Sequence, residues 1–245
     1  MILNTDVAPG VHRLERAATN VYLVEVDDRL LVVDAGLPRM WTQLHQALTQ
    51  LGKTPADVAG VLLTHGHFDH VGMAARIQRE WNVPIWVHQA DSALARHPYR
   101  YQREQSRILF PLRHPASLPI LGRMAAAGAL WVRGVDDLEP VGIGSELPGG
   151  PTLIHTPGHT FGHVAVHFPD RDAVIVGDAL VTLDPYTGRV GPRVVPGAAT
   201  ANVALARQSL SAVVDTHAQV VLPGHGDPWD QGIETAVDQA LERHR

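Results

Sequence analysis

Apolar positions along this 245-residue chain fall into two rhythms that alternate with one another. "NVYLVEV" (20–26) and "RLLVVDAG" (29–36) are apolar, β-branched runs that meet at Asp27 and Asp28, which predicts a hairpin. In "MWTQLHQALTQLG" (40–52), Trp41, Leu44, Leu48 and Leu51 recur at helical spacing, and Gly52 supplies a stop. "AGVLLT" (59–64) predicts a short buried strand. Beyond the polar stretch that follows it, Val71, Ala74, Ile77, Gln78 and Trp81 return to the helical period, and "PIWVH" (84–88) is a strand again. Residues 96–135 break the pattern. Pro111, Pro115 and Pro119 interrupt alternating basic and apolar stretches, which predicts short helices laid over the rest, as a lid or as a packing subdomain. Strands resume at 151–156, 163–168, 172–178 and 219–226. Thr200 is placed to cap a helix running to about Val214, and a last helix spans Glu234 to His244. Strands and helices alternating on this scale predict an α/β fold in one domain over 1–245, with the helical insert at 96–135.

Composition narrows the class. An apolar content of 45% supports a sizeable core. A net charge of −5 gives no footprint for nucleic acid or an anionic membrane, so the expected partner is a small-molecule substrate. With no cysteine there is neither disulfide nor thiolate chemistry. "MILNTDVAPG" has no basic start followed by an apolar stretch, and no run of about 18 apolar residues exists, so the expectation is a cytoplasmic protein. Oligomeric state leaves no mark in the pattern.

Histidine changes the picture most. "LLTHGHFDHVGM" (62–73) puts three histidines and one aspartate within six positions, directly after an apolar run. These residue types are poor formers of regular structure, and clustering them costs solvation unless something binds them. In an extended segment residues i and i+2 face the same way, so His65 and His67 can address one ion. Asp69 and His70 follow as the chain turns into the helix and aim elsewhere, which suits two adjacent metals better than one. Three further candidates close strands later on: His159 in "TPGHT", Asp178 in "IVGDAL" and His225 in "VLPGHG". Strand-end loops are where α/β folds build sites. Imidazole and carboxylate ligands suit divalent ions, zinc foremost, with iron or manganese also accommodated.

The set H-G-H-F-D-H, T-P-G-H-T, G-D-A-L and P-G-H-G resembles the metallo-β-lactamase fold superfamily, and within it the glyoxalase-II-like hydrolases and the lactonases. The resemblance runs from the N-terminal hairpin to "PGHGDPW". It implies a four-layer αβ/βα sandwich with a metal centre at one edge. It also implies roles: His65, His67 and His159 for a first metal, Asp69, His70 and His225 for a second, and Asp178 bridging both. Asp34 in "VVDAG" matches a residue that supports the metal loop from behind, although it also fits a simple turn before Gly36. The implied chemistry is hydrolysis of a small ester, thioester or lactone by hydroxide generated between two divalent ions, with Asp69 moving a proton.

Departures from the family pattern sharpen this. Only about twenty residues follow His225, which argues against glyoxalase II proper, an enzyme that carries a C-terminal helical domain. The lactonase tyrosine three residues after the bridging aspartate is Val181 here, and Tyr186 is the nearest substitute. The absence of an export signal argues against β-lactams as substrates. Two alternatives remain open: a mononuclear iron oxidoreductase similar to persulfide dioxygenase, and a metal-binding protein without activity. His163, in "HTFGH", is a candidate buttress for a ligand. Arg189 and Arg193, in the Gly- and Pro-rich segment 179–199 expected to wall the pocket, are candidates for holding a substrate carboxylate or phosphate.

Overall fold

The computed structural model of the chain describes residues 2–242. Its first sheet carries seven strands in chain order: β1 (Ile2–Ala8), β2 (Val11–Arg16), β3 (Thr19–Val26), β4 (Arg29–Val33), β5 (Val58–Leu63), β6 (Ile85–His88) and β7 (Glu139–Val141). Neighbours from β1 to β4 pair antiparallel; from β4 to β7 they pair parallel. Parallel neighbours need crossovers. These are α1 (Trp41–Gln50), then α2 (Phe68–Val71) with α3 (Ala74–Trp81), then the insert, containing α4 (Ser92–Arg96), α5 (Leu109–Leu112) and α6 (Leu118–Ala126).

The second half contributes β8 (Thr152–His155), β9 (Val164–Phe168) and β10 (Ala173–Gly177). A two-stranded ribbon follows, β11 (Val181–Leu183) and β12 (Val190–Arg193), then α7 (Val203–Ser209), α8 (Ser211–Val214), β13 (Val220–Pro223) and α9 (Ile233–Glu242). The second sheet has the order β13-β10-β9-β8, with β10 and β13 parallel.

Strand alternation explains how the layers stack. In β4, Leu30 and Val32 pack with Leu44, Ile77 and Met124, on the helix side. Leu31 and Val33 face the other way and pack with Val166, Ile175 and Leu222 of the second sheet. In β10, Ile175 takes part in that inter-sheet core, while Val174 and Val176 join Leu210, Val213 and Ile233 under the outer helices. The result is the four-layer αβ/βα sandwich. A one-residue slip of β4 would exchange both sets, which fixes the register. No helix of the described residues is long and apolar enough to cross a membrane.

Local differences from the sequence pattern have physical causes. β1 and β2 lie outside the predicted elements, because polar residues interrupt their apolar ones. β4 stops at Val33 rather than at residue 36, since Asp34 turns into the left-handed region at φ 63°. The 200–214 helix starts at Val203. Its cap is Asn202, whose side chain accepts from the Leu205 N–H at 2.9 Å, and Thr200 is employed elsewhere. Positions 243 and 244 of the last predicted helix lie outside the described residues.

Candidate metal centre

β5 delivers the chain, buried throughout, to the inter-sheet edge, where it bends at Thr64 and His65 and enters α2 from an extended His67. His65 and His67 share a side, and Asp69 and His70 ride the first turn of α2. Gly66 between them has no space for a side chain, since a Cβ would come within 2.7 Å of the Ala95 backbone nitrogen. The other three candidates come from strand ends of the second sheet. His159 follows β8 through a turn at Gly158, where φ is 132°; Asp178 follows β10, and His225 follows β13. All seven side chains are buried.

Their ligand atoms converge. His65, His67 and His159 form one group and Asp69, His70 and His225 another, with ligand atoms within 4.8 Å of one another in each. Asp178 reaches both. Its Oδ2 lies 3.5 Å from His159 Nε2 and 3.2 Å from His225 Nε2, and its Oδ1 lies 3.6 Å from His70 Nε2. His225 Nε2 is also 3.3 Å from Asp69 Oδ2.

Buried polar atoms are nearly always hydrogen-bonded. Here the Nε2 atoms of His65, His67 and His70, together with Asp178 Oδ1, are buried without a hydrogen-bond partner. That is the signature expected of groups that satisfy a cation instead, and the nitrogen and oxygen donor set fits divalent ions.

The opposite ring atoms of His65, His70, His159 and His225 are pinned, which fixes those imidazoles, while His67 Nδ1 lies 2.9 Å from His159 Nε2. His65 Nδ1 is 3.1 Å from Thr64 Oγ1, and His70 Nδ1 is 2.8 Å from Asp34 Oδ2. Thr200 donates to Val195 O at 2.8 Å and so accepts from His159 Nδ1 at 3.1 Å. His225 Nδ1 donates to Ala18 O at 2.7 Å. The left-handed backbone of Asp34 aims its carboxylate at the motif: besides His70, it accepts the Thr64 N–H at 2.8 Å and bonds the Thr64 hydroxyl, so one side chain orders the start of the motif. His163 accepts the Asp178 N–H on Nε2 at 3.0 Å and therefore donates from Nδ1 to Thr156 Oγ1 at 2.7 Å.

Electrostatics divide the histidines. Burial, aided by neighbouring imidazoles, holds His65 and His159 well below the ordinary histidine range. Burial likewise lowers His67 to about 4, against the pull of Asp69 and Asp178. Neutral imidazole is the form that ligates. For His70, burial works downward too, but Asp34 and Asp178 outweigh it and raise the group to about 9; His225 is raised in the same way by Asp178 and Asp69. Burial opposes ionisation of Asp69 and Asp178, yet the facing histidines hold both carboxyls below their ordinary value. Two carboxylates are thus kept ionised in a dry site, ready for positive charge.

Of the remaining candidates, Tyr186 lines a cavity together with Tyr101, whose ring lies 4.5 Å from that of His67. Its phenol is pushed well above 10, first by burial and then by neighbouring Tyr101 and the charges of Asp69 and Asp178. Arg189 and Arg193 do not line it. The β11–β12 ribbon carries them to a separate cavity of about 310 Å³, which none of the seven ligand residues lines. Arg193 is engaged by backbone carbonyls, those of Gly191 at 2.9 Å and Val190 at 2.5 Å.

The sequence pattern missed Asp91. It is 2% exposed, and its Oδ2 accepts from the Gly66 N–H at 2.8 Å and the Thr160 hydroxyl at 2.7 Å, while Oδ1 accepts from the Gly162 N–H at 2.8 Å. One carboxylate thereby ties the His65–His67 loop to the His159–His163 loop. Tyr101, from the insert, borders the centre; its ring lies 4.5 Å from that of His67.

The model of the family described as the metallo-beta-lactamase superfamily matches residues 14–225, which include all seven converging side chains. This chain belongs to the metallo-beta-lactamase superfamily. It is 27% identical to the probable metallo-hydrolase YflN of Bacillus subtilis (strain 168) over 238 residues, covering 91% of this chain and 86% of that protein. Among solved structures it resembles the family protein TTHA1429 from Thermus thermophilus, with a TM-score of 0.69 and 23% identity over 96% of this chain and 79% of the other. It also resembles TTHA1623, solved in a di-iron-bound form, with a TM-score of 0.61 and 27% identity over 91% of this chain and 95% of that one. Family membership, the metallo-hydrolase names of its relatives and the His/Asp cluster together support a metal-dependent hydrolase.

Proposed function

We propose that this superfamily member is a dinuclear metallohydrolase acting on a small ester, thioester or lactone. The observation that carries the reading is Asp178, whose two oxygens face members of both His/Asp groups while Oδ1 has no hydrogen-bond partner. His65, His67 and His159 would hold one cation; Asp69, His70 and His225 would hold the other; Asp178 would bridge them. Two divalent ions held there supply Lewis acidity toward a carbonyl oxygen and lower the pKa of coordinated water. Zinc suits the donors best, the di-iron form of TTHA1623 supports iron, and the same donors accommodate manganese.

The chain's own groups complete the chemistry. Asp69, kept ionised, accepts a hydrogen bond from the attacking group and moves its proton. Tyr186, kept protonated, offers an O–H at the same edge to the substrate oxygen or the leaving group. The substrate is a small molecule, and the site requires no partner chain to supply a ligand.

Elemental analysis of protein purified without added metal tests the reading first. About two zinc, iron or manganese ions per chain, with turnover on an ester, thioester and lactone panel that chelation abolishes, is the expected result. About one iron per chain, with oxygen uptake on persulfides and no ester turnover, would replace it with the oxidoreductase reading. Two bound ions with no turnover on any of these substrates would leave a metal-binding protein.

A further inference from the structure

Beside the ligand cluster lies a cavity of about 480 Å³, walled by Phe68, Tyr99, Ile108, Leu121, Met124 and Leu130. Arg107 is the one charged side chain among the residues that line it. None of the seven His/Asp side chains lines the cavity, but it borders the centre through Tyr101, whose ring lies 4.5 Å from that of His67. Phe68 stands between His67 and Asp69 in the chain, and Tyr186 lines the cavity together with Tyr101. Its roof is the insert between β6 and β7.

The walls are built in advance of any ligand. The Tyr99 ring stacks on Phe68, with centroids 5.6 Å apart and planes 14° from parallel. The Tyr99 hydroxyl donates to Ala129 O at 2.8 Å and accepts the Val132 N–H at 2.7 Å, which fastens the 129–132 turn to the floor. A preformed apolar pocket loses little ordering entropy on binding. At the rim, Ile108 and Leu130 stay 69% and 63% exposed. Large apolar side chains left to solvent around a concave site mark a surface that something apolar covers.

A second cavity of about 290 Å³ shares Tyr101 and reaches His159, but its lining includes His97, Arg100 and Gln102. A substrate lying across the centre therefore meets two unlike surroundings, and its apolar arm belongs in the first.

We propose that the substrate's acyl group is an extended apolar chain, seated in the cavity between the Phe68–Tyr99 stack and α6, with its carbonyl at the ligand cluster. This rests on the hydrolase reading for the position of the carbonyl. Burying each added methylene should raise kcat/KM about 4-fold until the cavity is full.

The experiment uses two series on the zinc-loaded protein. One measures kcat/KM for p-nitrophenyl esters with acyl chains from two to about ten carbons. The other measures affinity for saturated fatty acids from four to about ten carbons by calorimetry, which needs no turnover. Rising affinity and rising kcat/KM with length support the proposal. Esters cleaved at rates independent of length, with a flat fatty-acid series, overturn it and leave the hydrolase reading intact. No cleavage of these esters or of the matching thioesters and lactones, with affinity still climbing about 4-fold per methylene, keeps the acyl cavity and sinks the hydrolase reading. Ala125→Trp, on α6 and lining the cavity, should flatten the length dependence in both series. Should that variant fail to fold, Leu130→Asp at the exposed rim serves instead, with long chains penalised more than short ones. An undiminished length dependence in a folded variant overturns the proposal.

Discussion

Replacing Asp91 by asparagine tests whether the two ligand loops are held by one carboxylate. Three donors converge on the two Asp91 oxygens: the Gly66 and Gly162 N–H groups and the Thr160 hydroxyl. An amide offers one acceptor oxygen in place of two. With that oxygen toward Gly66 and Thr160, the NH₂ confronts the Gly162 N–H, donor against donor. At least one buried backbone donor is orphaned, which costs about 1–3 kcal/mol. For a domain of this size each kcal/mol moves Tm by about 2–4 °C, so Asp91→Asn should lower Tm by roughly 2–12 °C. Removing a residue that orients ligands from behind typically weakens metal affinity about 10–100-fold. The assays are thermal and urea denaturation of chelator-treated protein, followed by calorimetric zinc titration. The pair of readouts separates general damage from loop release, because a purely packing role would move Tm alone. An Asp91→Asn protein with the parental Tm and the parental zinc affinity would refute the reasoning.

Other outcomes follow from the same geometry. Asp69→Ala should abolish turnover on every substrate cleaved by the parent while leaving the far-ultraviolet dichroism unchanged, since it removes a ligand and a proton carrier at the edge of the centre; retained turnover would sink the proposed centre. Tyr186→Phe should reduce kcat with little change in metal content, and an unchanged kcat would remove the phenol from the mechanism. Gly72→Ala should destabilise the fold by about 1–3 kcal/mol in urea titration, because the new Cβ would collide with Gly36 O and Leu37 Cα, both backbone atoms with no freedom to move aside.

The convergence of the seven His/Asp side chains was readable because its information is local. H-x-H-x-D-H specifies by spacing which side chains can share an ion, and the apolar runs before His159, Asp178 and His225 place each at a strand end. The supports were readable only where they neighbour a ligand or match a family position, as His163 and Asp34 do. Asp91 lies 25 residues from Gly66 and 71 from Gly162, and an aspartate in "HQADSA" carries no pattern of its own. Thr200 was read as a helix cap because a hydroxyl before a helix usually serves one; the structure gives that task to Asn202 and turns Thr200 toward His159. Arg189 and Arg193 were placed near the substrate because their segment follows Asp178. The segment instead doubles back as the β11–β12 ribbon, which a Gly- and Pro-rich stretch does not announce. β1 and β2 escaped notice for want of an unbroken apolar run.

The insert between β6 and β7 has a consequence for how such a protein acquires new substrates. Its two ends are fixed by adjacent parallel strands, and it supplies no atom to the His/Asp groups, although it forms most of the apolar cavity wall. On the proposed reading, reactivity and selectivity are encoded in separable lengths of chain. The strand-end residues behave as an inherited reaction head, and the span from 96 to 135 as an exchangeable fitting. Grafting a different span in place of residues 96–135, which keeps Asp91 and its hydrogen bonds to both loops, should redirect the protein to another molecule and leave the His/Asp groups unaltered.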